Sequence, residues 1–260
     1  MTGLAAKADR LLALHQPGNP VLLANAWDVA SATLVQAAGY PAIATTSAAV
    51  AESLGFADTD SMDVDLHFAV IARITRAVDV PVTADLEAGY QLPGDEFVAR
   101  ILEAGAVGCN FEDSDHHGDS VLVAAETHAE RIRAVRDAAE AAGVHVVINA
   151  RTDVALHRVG TVDEQRAEIL RRGRLYMEAG ADCIYPPFVR DEDEIRALVE
   201  GLGVPMNVLF LPGVPPVETL RRLGVARISL GSGLFRVALA AAKRSAEAFR
   251  DGDDEGVWRR

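Results

Sequence analysis

The feature that most constrains the fold is a weak internal repeat, in which a helical stretch ends at glycine and a short apolar run follows at once. Glycine suits the left-handed position at which many helices end, and a continuous apolar run suits a strand buried on both faces. Six copies follow this pattern and a seventh has Asp79 in place of the glycine. The copies span residues 37–47, 76–89, 103–113, 140–153, 178–187, 200–210 and 221–231.

Together with the first apolar run, Val21–Ala26, the repeat predicts eight strands. Amphipathic stretches separate these strands near residues 62–77, 94–104, 124–142, 162–179, 190–200, 215–223 and 232–249. Alternating strands and helices form parallel βαβ units, and eight such units favour closure into a (β/α)8 barrel of the TIM-barrel type. No Gly-x-Gly-x-x-Gly follows the first strand, which argues against a dinucleotide-binding sheet. We therefore predict an α/β fold with one barrel domain over residues 1–260, ending in a flexible tail at 251–260.

The charge balance restricts the partners of the chain. Lys and Arg number 25 against 38 Asp and Glu, a formal net charge of −13. Such a surface repels nucleic-acid backbones and anionic membrane surfaces, so we expect neither as a partner. No apolar stretch has the roughly 18 residues of a membrane span. Cys109 and Cys183 lie inside apolar runs, which predicts buried thiols in a reducing, cytoplasmic compartment.

The polar residues at the predicted strand ends indicate where the chemistry lies, because active sites of such barrels sit at the carboxyl ends of the strands. Side chains alternate across a strand with a period of two, so alternate residues share a face. The apolar residues between them, Leu86, Phe111 and Ala150, are predicted to face the helices. The residues predicted to point into the barrel mouth are Asp85, Glu87, Asn110, Glu112, Asn149 and Arg151.

Three carboxylates converging in one mouth would repel one another unless a cation lies between them. A hard divalent ion with oxygen ligands meets this need, so we predict Mg²⁺, with Mn²⁺ as an alternative, held by Asp85, Glu87 and Glu112. The competing interpretation is that the acids pair with arginines, although Arg151 is the one cation at a predicted strand end. Arg151 is either such a structural partner or a fork that grips a substrate carboxylate or phosphonate.

Residue types that the strand ends lack narrow the reaction class. No Lys lies at a predicted strand end, which argues against a Schiff-base aldolase. No His-x-His lies on a strand, which argues against a zinc hydrolase. The turn Gly231-Ser232-Gly233 could cradle a phosphate at a helix start, or it could be a simple tight turn.

Three motifs resemble those of the isocitrate lyase/phosphoenolpyruvate mutase superfamily, over residues 11–239. They are Asp85-x-Glu87-x-Gly89-Tyr90, Glu112-Asp113 and Asn149-Ala150-Arg151-Thr152-Asp153. The resemblance implies a metal held mainly by Asp85, with Glu87 and Glu112 acting directly or through water, and a substrate anion on Arg151. Residues 46–55 resemble the family segment that binds the substrate carboxylate. The expected substrate-binding residues are therefore Trp27, Ser47, Ala48, Asp58, Arg151 and Asn207.

The same resemblance implies Mg²⁺-dependent chemistry through the enolate of a small 2-oxo acid. Family members cleave C–C bonds, move or hydrolyse P–C bonds, or decarboxylate oxaloacetate. It also implies a homo-oligomer, a dimer or tetramer, in which the last helix packs on or swaps with a neighbouring subunit. The apolar run Leu234–Ala242 suits that contact, although an ordinary outer helix is the alternative.

Departures from the family pattern limit which functions and residue roles of the family can be assigned to this chain. The loop after strand four, Asp113–Val123, contains no cysteine where the lyases carry a catalytic one, which argues against a true isocitrate or methylisocitrate lyase. Glu87 is one methylene longer than the family's acid, and strand six ends Tyr185-Pro186-Pro187 without an acid or histidine. In the loop, His117 is the candidate acid/base beside Arg151 and Glu112, although solvated surface is its alternative.

These observations predict a Mg²⁺-dependent lyase or phosphonomutase-like enzyme that acts on a small 2-oxo- or 2-hydroxy-carboxylate or a phosphonate. One alternative is an oxaloacetate-type decarboxylase, which needs no loop cysteine. Another is a 2-oxo-acid binding protein that kept the metal pocket without catalysis. A phosphate-binding barrel that uses the Gly231–Gly233 turn is the third.

Overall fold

Short parallel strands form the centre of the molecule. The computed structural model describes residues 2–57 and 62–259. Within these residues the strands are β1 Val21–Leu23, β2 Asn25–Ala26, β3 Ile43–Thr45, β4 Val82–Asp85, β5 Gly108–Glu112, β6 Val147–Arg151, β7 Cys183–Tyr185, β8 Asn207–Leu209 and β9 Arg227–Ser229.

The strand order is that of a (β/α)8 barrel. Strands β2 to β7 form a six-stranded sheet in chain order, and β1, β9 and β8 form a three-stranded sheet. Ala24 joins the two sheets covalently on one side, because it separates β1 from β2. On the other side, Ile184 of β7 forms a parallel bridge with Met206, just before β8. The predicted fold class is confirmed.

The predicted first strand, Val21–Ala26, is two strands in the structure. Its first half pairs with β9, with Val21 opposite Arg227, and its second half pairs with β3, with Asn25 opposite Ala44. The tilt and stagger of strands in a barrel give the two halves different neighbours. The count of eight therefore holds only when β1 and β2 are taken as one run.

Helices cover the sheet and account for most connections between strands. Those of the described chain are α1 Thr2–Ala13, α2 Val29–Ala37, α3 Ser47–Leu54, α4 Val64–Ala77, α5 Gly94–Glu103, α6 Ala125–Ala141, α7 Val162–Glu178, α8 Glu192–Leu202, α9 Val217–Arg222, α10 Gly233–Arg250 and α11 Asp254–Val257. The seven predicted amphipathic stretches match α4 to α10 closely. None of the described helices is long and apolar enough to cross a membrane.

The predicted division between outward and inward residues is confirmed for the apolar set. Leu86, Phe111 and Ala150 are buried in the main apolar core together with residues of α5, α6 and α7. Helix α1 was not predicted, and its residue Leu11 packs with Val107 and Val147 at the amino ends of β5 and β6. That helix closes the end of the barrel opposite the strand carboxyl ends.

Helix α10 differs from the other long helices because it buries few of its side chains against the rest of the protein. Phe235 is its one buried residue in the structure, whereas the 17-residue α6 buries seven. Val237 of α10 is 66% exposed. The tail beyond it contains the short helix α11, and whether that tail is flexible remains a prediction. Cys109 and Cys183 are buried free thiols, as predicted, and burial raises the pKa of each to about 12.

Candidate active site

The carboxyl ends of β4, β5 and β6 bring the predicted polar residues together. The strands are neighbours, and their register places Asp85 opposite Asn110, and Glu112 opposite Arg151. All of these side chains are largely buried, with Asp85 8% and Glu112 3% exposed. The two acids lie in different surroundings, and the difference determines what each can do.

Asp85 is held by neutral hydrogen-bond donors. Its Oδ2 accepts from the backbone N and from Oγ of Ser47, both at 3.1 Å, and its Oδ1 accepts from Asn110 Nδ2 at 3.0 Å. Ser47 is the first residue of α3, so the positive end of the helix dipole also faces this carboxylate. In the described structure, Asp85 is thus an oriented anion whose hydrogen-bond partners carry no formal charge.

Glu87 does not continue strand β4, contrary to the alternation used to place it beside Asp85. The strand ends at Asp85, and Glu87 has a left-handed backbone with φ 50°. Its carbonyl still accepts a hydrogen bond from Glu112 N at 3.0 Å, and its side chain is buried. The chain is thus already turning at Glu87, and its metal-binding role stays a prediction.

Glu112 is held by charged or chargeable groups. Its Oε2 lies 2.7 Å from Arg151 Nη1, and its Oε1 lies 2.8 Å from His116 Nε2. Arg151 Nε also donates to Asp153 Oδ1 at 2.7 Å. One guanidinium therefore serves two carboxylates, as the arginine-pairing interpretation of the acids anticipated for Glu112.

The pKa values of Glu112 and Arg151 are strongly shifted in this buried cluster. Desolvation raises the pKa of Glu112 to about 7, against the lowering effect of Arg151. The carboxylates of Asp153 and Glu112 outweigh desolvation at Arg151 and hold the pKa of its guanidinium well above its usual value. A carboxyl group with such a pKa changes charge near neutral pH, so it can exchange a proton under ordinary conditions.

The loop after β5 places its two histidines differently. A bridge between Ser114 and Leu122 ties the ends of the loop together. His116 is partly buried against Glu112, whereas the side chain of His117 is exposed near the loop tip. The structure thus brings His116 to the acid cluster, and the catalytic role of His117 stays a prediction.

A buried network that the sequence did not reveal supports the loop and the end of β6. Asp113 Oδ1 accepts from Asp153 N at 2.8 Å, and Asp113 Oδ2 accepts from Tyr176 OH at 2.6 Å. Arg172 of α7 donates to the same Oδ2 at 2.9 Å. Arg172 and Tyr176 stand four apart, on one face of a helix, but only the fold shows that this face meets Asp113.

The remaining predicted substrate-binding residues surround the mouth in different ways. Ser47 binds Asp85, as described, and Ala48 is the next residue of α3. The ring of Trp27 packs edge-on against Phe235 of α10, with centroids 5.1 Å apart. Asn207 is buried, and its amide forms a long hydrogen bond of 3.3 Å with Ser229 Oγ. Asp58 lies outside the described residues.

The donor types at this site fit a hard divalent cation held by few protein ligands. Across residues 2–57 and 62–259, no three His, Cys, Asp or Glu side chains converge in an arrangement that could hold a metal ion. Glu112 is engaged by Arg151 and His116, and the ligand set of Asp85, Glu87 and Glu112 stays a prediction. Mg²⁺ usually keeps several waters beside one or two carboxylates, and the oriented, buried carboxylate of Asp85 fits that requirement.

One buried cation near the site was not predicted from the sequence. Arg227 of β9 is 0% exposed, and its Nη2 donates to Asn110 Oδ1 at 3.1 Å. Its signal was present in the run Ala226-Arg227-Ile228-Ser229, since a charged residue alternates there with an apolar one in a predicted buried strand. The rule that places barrel chemistry at the carboxyl ends of strands does not select Arg227, because this residue begins its strand.

Comparisons with known proteins agree with this architecture. The model of the phosphoenolpyruvate phosphomutase family matches residues 11–250. An uncharacterized protein of Mycobacterium tuberculosis is 33% identical over 242 residues, 92% of this chain and 88% of that protein. Other curated relatives that match bear the names 2-methylisocitrate lyase and oxaloacetate decarboxylase.

Solved structures give the same result at the level of the fold. A candidate phosphonomutase from Burkholderia cenocepacia superposes with a TM-score of 0.87 at 39% identity, covering 93% of this chain and 99% of that one. A phosphonopyruvate hydrolase in complex with oxalate and Mg²⁺ superposes with a TM-score of 0.83 at 25% identity, covering 95% and 88%.

Proposed function

Because the chain belongs to the phosphoenolpyruvate phosphomutase family, we propose that it is a Mg²⁺-dependent carbon–carbon lyase or phosphonomutase-like enzyme. Its substrate is a small 2-oxo- or 2-hydroxy-carboxylate, or the related phosphonate, and the reaction passes through an enolate. The observation that carries this proposal is the pairing, in one barrel mouth, of Asp85 held by neutral donors with an Arg151–Glu112 cluster.

Asp85 would hold the metal ion, with Glu87 and Glu112 contributing through water. Ser47 and Asn110 fix the direction of the Asp85 carboxylate before the ion arrives. When bound, Mg²⁺ supplies positive charge that stabilises negative charge developing on substrate oxygens. Mn²⁺ has the same preference for oxygen ligands and is expected to substitute for it.

Arg151 would bind the anionic group of the substrate. Its side chain is 17% exposed and therefore reachable from the mouth. In the structure it serves Glu112 and Asp153, so a substrate anion must compete with one of them. Protonation of Glu112, whose pKa is about 7, releases that competition, which links substrate binding to a proton at this carboxyl.

His116 and Glu112 together would hold the proton that the reaction moves. Their side chains are joined at 2.8 Å, within the range for direct proton exchange. No cysteine lies in the loop that carries His116, so an acid/base other than a thiol is required. The same absence keeps an oxaloacetate-type decarboxylase as the second candidate, because that reaction demands less proton delivery than a lyase.

Turnover of a panel of small acids tests the proposal. The panel contains oxaloacetate, phosphonopyruvate and several 2-hydroxy di- and tricarboxylates, each with Mg²⁺ and with a chelator. We expect one substrate class to turn over only with the metal ion. Full activity in chelator would contradict the metal-dependent mechanism, and binding of oxalate without any turnover would favour a non-catalytic binding protein.

We also propose that the protein is a homo-oligomer, a dimer or tetramer, in which α10 packs on a neighbouring subunit. An 18-residue helix with a single buried residue leaves most of its apolar positions, such as Val237 and Leu239, in water. Leu22 of β1 is 38% exposed, although strands of such barrels are normally covered by helices. Packing against a second copy would cover such apolar surface.

Light scattering at micromolar concentration tests the assembly. We expect a mass of at least two chains, and Val237→Lys should shift it toward the monomer because it places a charge in the proposed contact. Lys243→Ala, on an exposed position of the same helix, is the matched control. A monomeric wild type would contradict the proposal.

A further inference from the structure

Arg227 occupies the interior of the barrel, below the candidate site. It extends from β9 and reaches Asn110 of β5, although several strands separate β9 from β5 in either direction around the barrel. The Nε and Nη1 atoms of Arg227 are buried and have no hydrogen-bond partner among the described residues. Burial lowers the pKa of this guanidinium, yet an arginine keeps its charge in proteins. A charge retained at this desolvation cost requires an explanation.

The chemistry of the guanidinium fixes the orientation of the amides around it. Arginine has only donors, so the Asn110 atom that faces Arg227 Nη2 must be the oxygen. The same oxygen accepts from Asn149 Nδ2 at 2.8 Å. The NH2 group of Asn110 is then left to point the other way, where it donates to Asp85 Oδ1 at 3.0 Å. Without Arg227, the Asn110 oxygen would lose one of the donors that hold it, so the direction in which Asn110 Nδ2 meets Asp85 would be less tightly fixed.

We propose that Arg227 is a positioning residue, which locks the Asn110 amide so that it donates to Asp85 and so sets the carboxylate in the direction needed to bind a divalent cation. Arg227 touches neither the ion nor the substrate in this role. The inference rests on the proposed function only in taking Asp85 as the metal ligand. Groups that orient a metal ligand from behind typically contribute 10- to 100-fold to metal affinity.

The direction in which cation affinity changes when Arg227 is removed separates a positioning role from a purely electrostatic one. Removing a positive charge near a cation site should tighten cation binding if the charge acts only through space. If Arg227 positions Asp85, removing it should weaken binding instead. The probe is Mn²⁺ bound to the purified protein, measured by electron paramagnetic resonance without substrate.

We expect Arg227→Met to weaken Mn²⁺ binding by about 10-fold or more. Arg136→Met is the matched control, because Arg136 is also buried but pairs with Asp182 instead of the site residues; its Mn²⁺ affinity should stay that of the wild type. Unchanged or tighter binding in the Arg227 variant overturns the proposal. Should that variant fail to fold, Arg227→Gln, which is too short to reach Asn110, carries the same expectation.

A double-mutant cycle tests whether the effect passes through Asn110. In an Asn110→Leu background, Arg227→Met should change Mn²⁺ affinity no further, whereas additive losses would contradict the relay. A wild type that binds no Mn²⁺ would remove the metal from the proposed function. The crystal structure of metal-free Arg227→Met then decides the positioning alone: an intact Asn110–Asp85 hydrogen bond overturns it, and a lost or turned one supports it.

Discussion

The two sides of the barrel mouth hold their acids in opposite ways. On the β4 side, Asp85 accepts hydrogen bonds from Ser47 and Asn110, which are neutral. On the β5–β6 side, Glu112 meets Arg151 and His116, which can both carry positive charge. Neutral donors orient a carboxylate without cancelling its charge, so Asp85 keeps the capacity to bind a cation. The Glu112 side is already compensated and is therefore suited to exchange protons and anions.

The largest expected effect lies on the β4 side. Asp85→Ala removes a carboxylate that neutral donors orient, so we expect Mn²⁺ binding to disappear and kcat/KM to fall by at least about 10³-fold. Asp137→Ala, on an exposed position of α6, is the control and should leave both unchanged. Retention of metal binding in the Asp85 variant would move the cation site to another group.

The next largest effect concerns the anion side. Arg151→Lys keeps the charge but loses the planar fork that can contact two oxygens, so we expect KM to rise by about 10²-fold with a smaller change in kcat. Steady-state kinetics on the best substrate of the panel measure this split. An equal loss in kcat with unchanged KM would show that Arg151 acts in the transition state instead.

The two loop histidines form a natural pair for comparison. General acid–base catalysis typically accelerates a reaction by about 10²- to 10⁴-fold. Substituting Asn for the histidine that supplies it should therefore lower kcat by that factor. The contact with Glu112 favours His116, whereas His117 is the exposed neighbour. Binding of oxalate, measured by calorimetry, should persist in both variants. A larger loss for His117→Asn would support the acid/base role predicted for His117 from the sequence.

The smallest expected effect is on stability. The folded-state pKa of Glu112, about 7, lies above its ordinary value of 4.5. The native protein therefore holds this proton more tightly than the unfolded chain, and the resulting stability is present below about pH 4.5 and lost as the pH rises through about 7. Relative to Glu112→Gln, the wild type should lose free energy of unfolding across that window in urea titrations with chelator. Parallel pH profiles would contradict the raised pKa.

The sequence alone determined the architecture and the strand ends at which the candidate site lies. The glycine–apolar repeat is a local signal, because a helix end and a buried strand each leave their mark within a few residues. It predicted the strands and the helices α4 to α10, and the rule that barrel chemistry lies at strand carboxyl ends selected Asp85, Glu112 and Arg151. In the structure Glu112 and Arg151 are in contact, and Asp85 lies on the neighbouring strand, opposite Asn110.

The pairing of those residues was decided only by the tertiary structure. Sequence alternation predicted the same surroundings for Asp85, Glu87 and Glu112. In the fold, Asp85 accepts a hydrogen bond from the first residue of α3, whereas Glu112 pairs with an arginine of the next strand. It also turns the backbone at Glu87 and carries Arg227 across the barrel to Asn110. The local sequence pattern determines which face of a strand a side chain occupies. Its hydrogen-bond and ion-pair partners come from segments far away in the chain, so these contacts form only when the barrel folds.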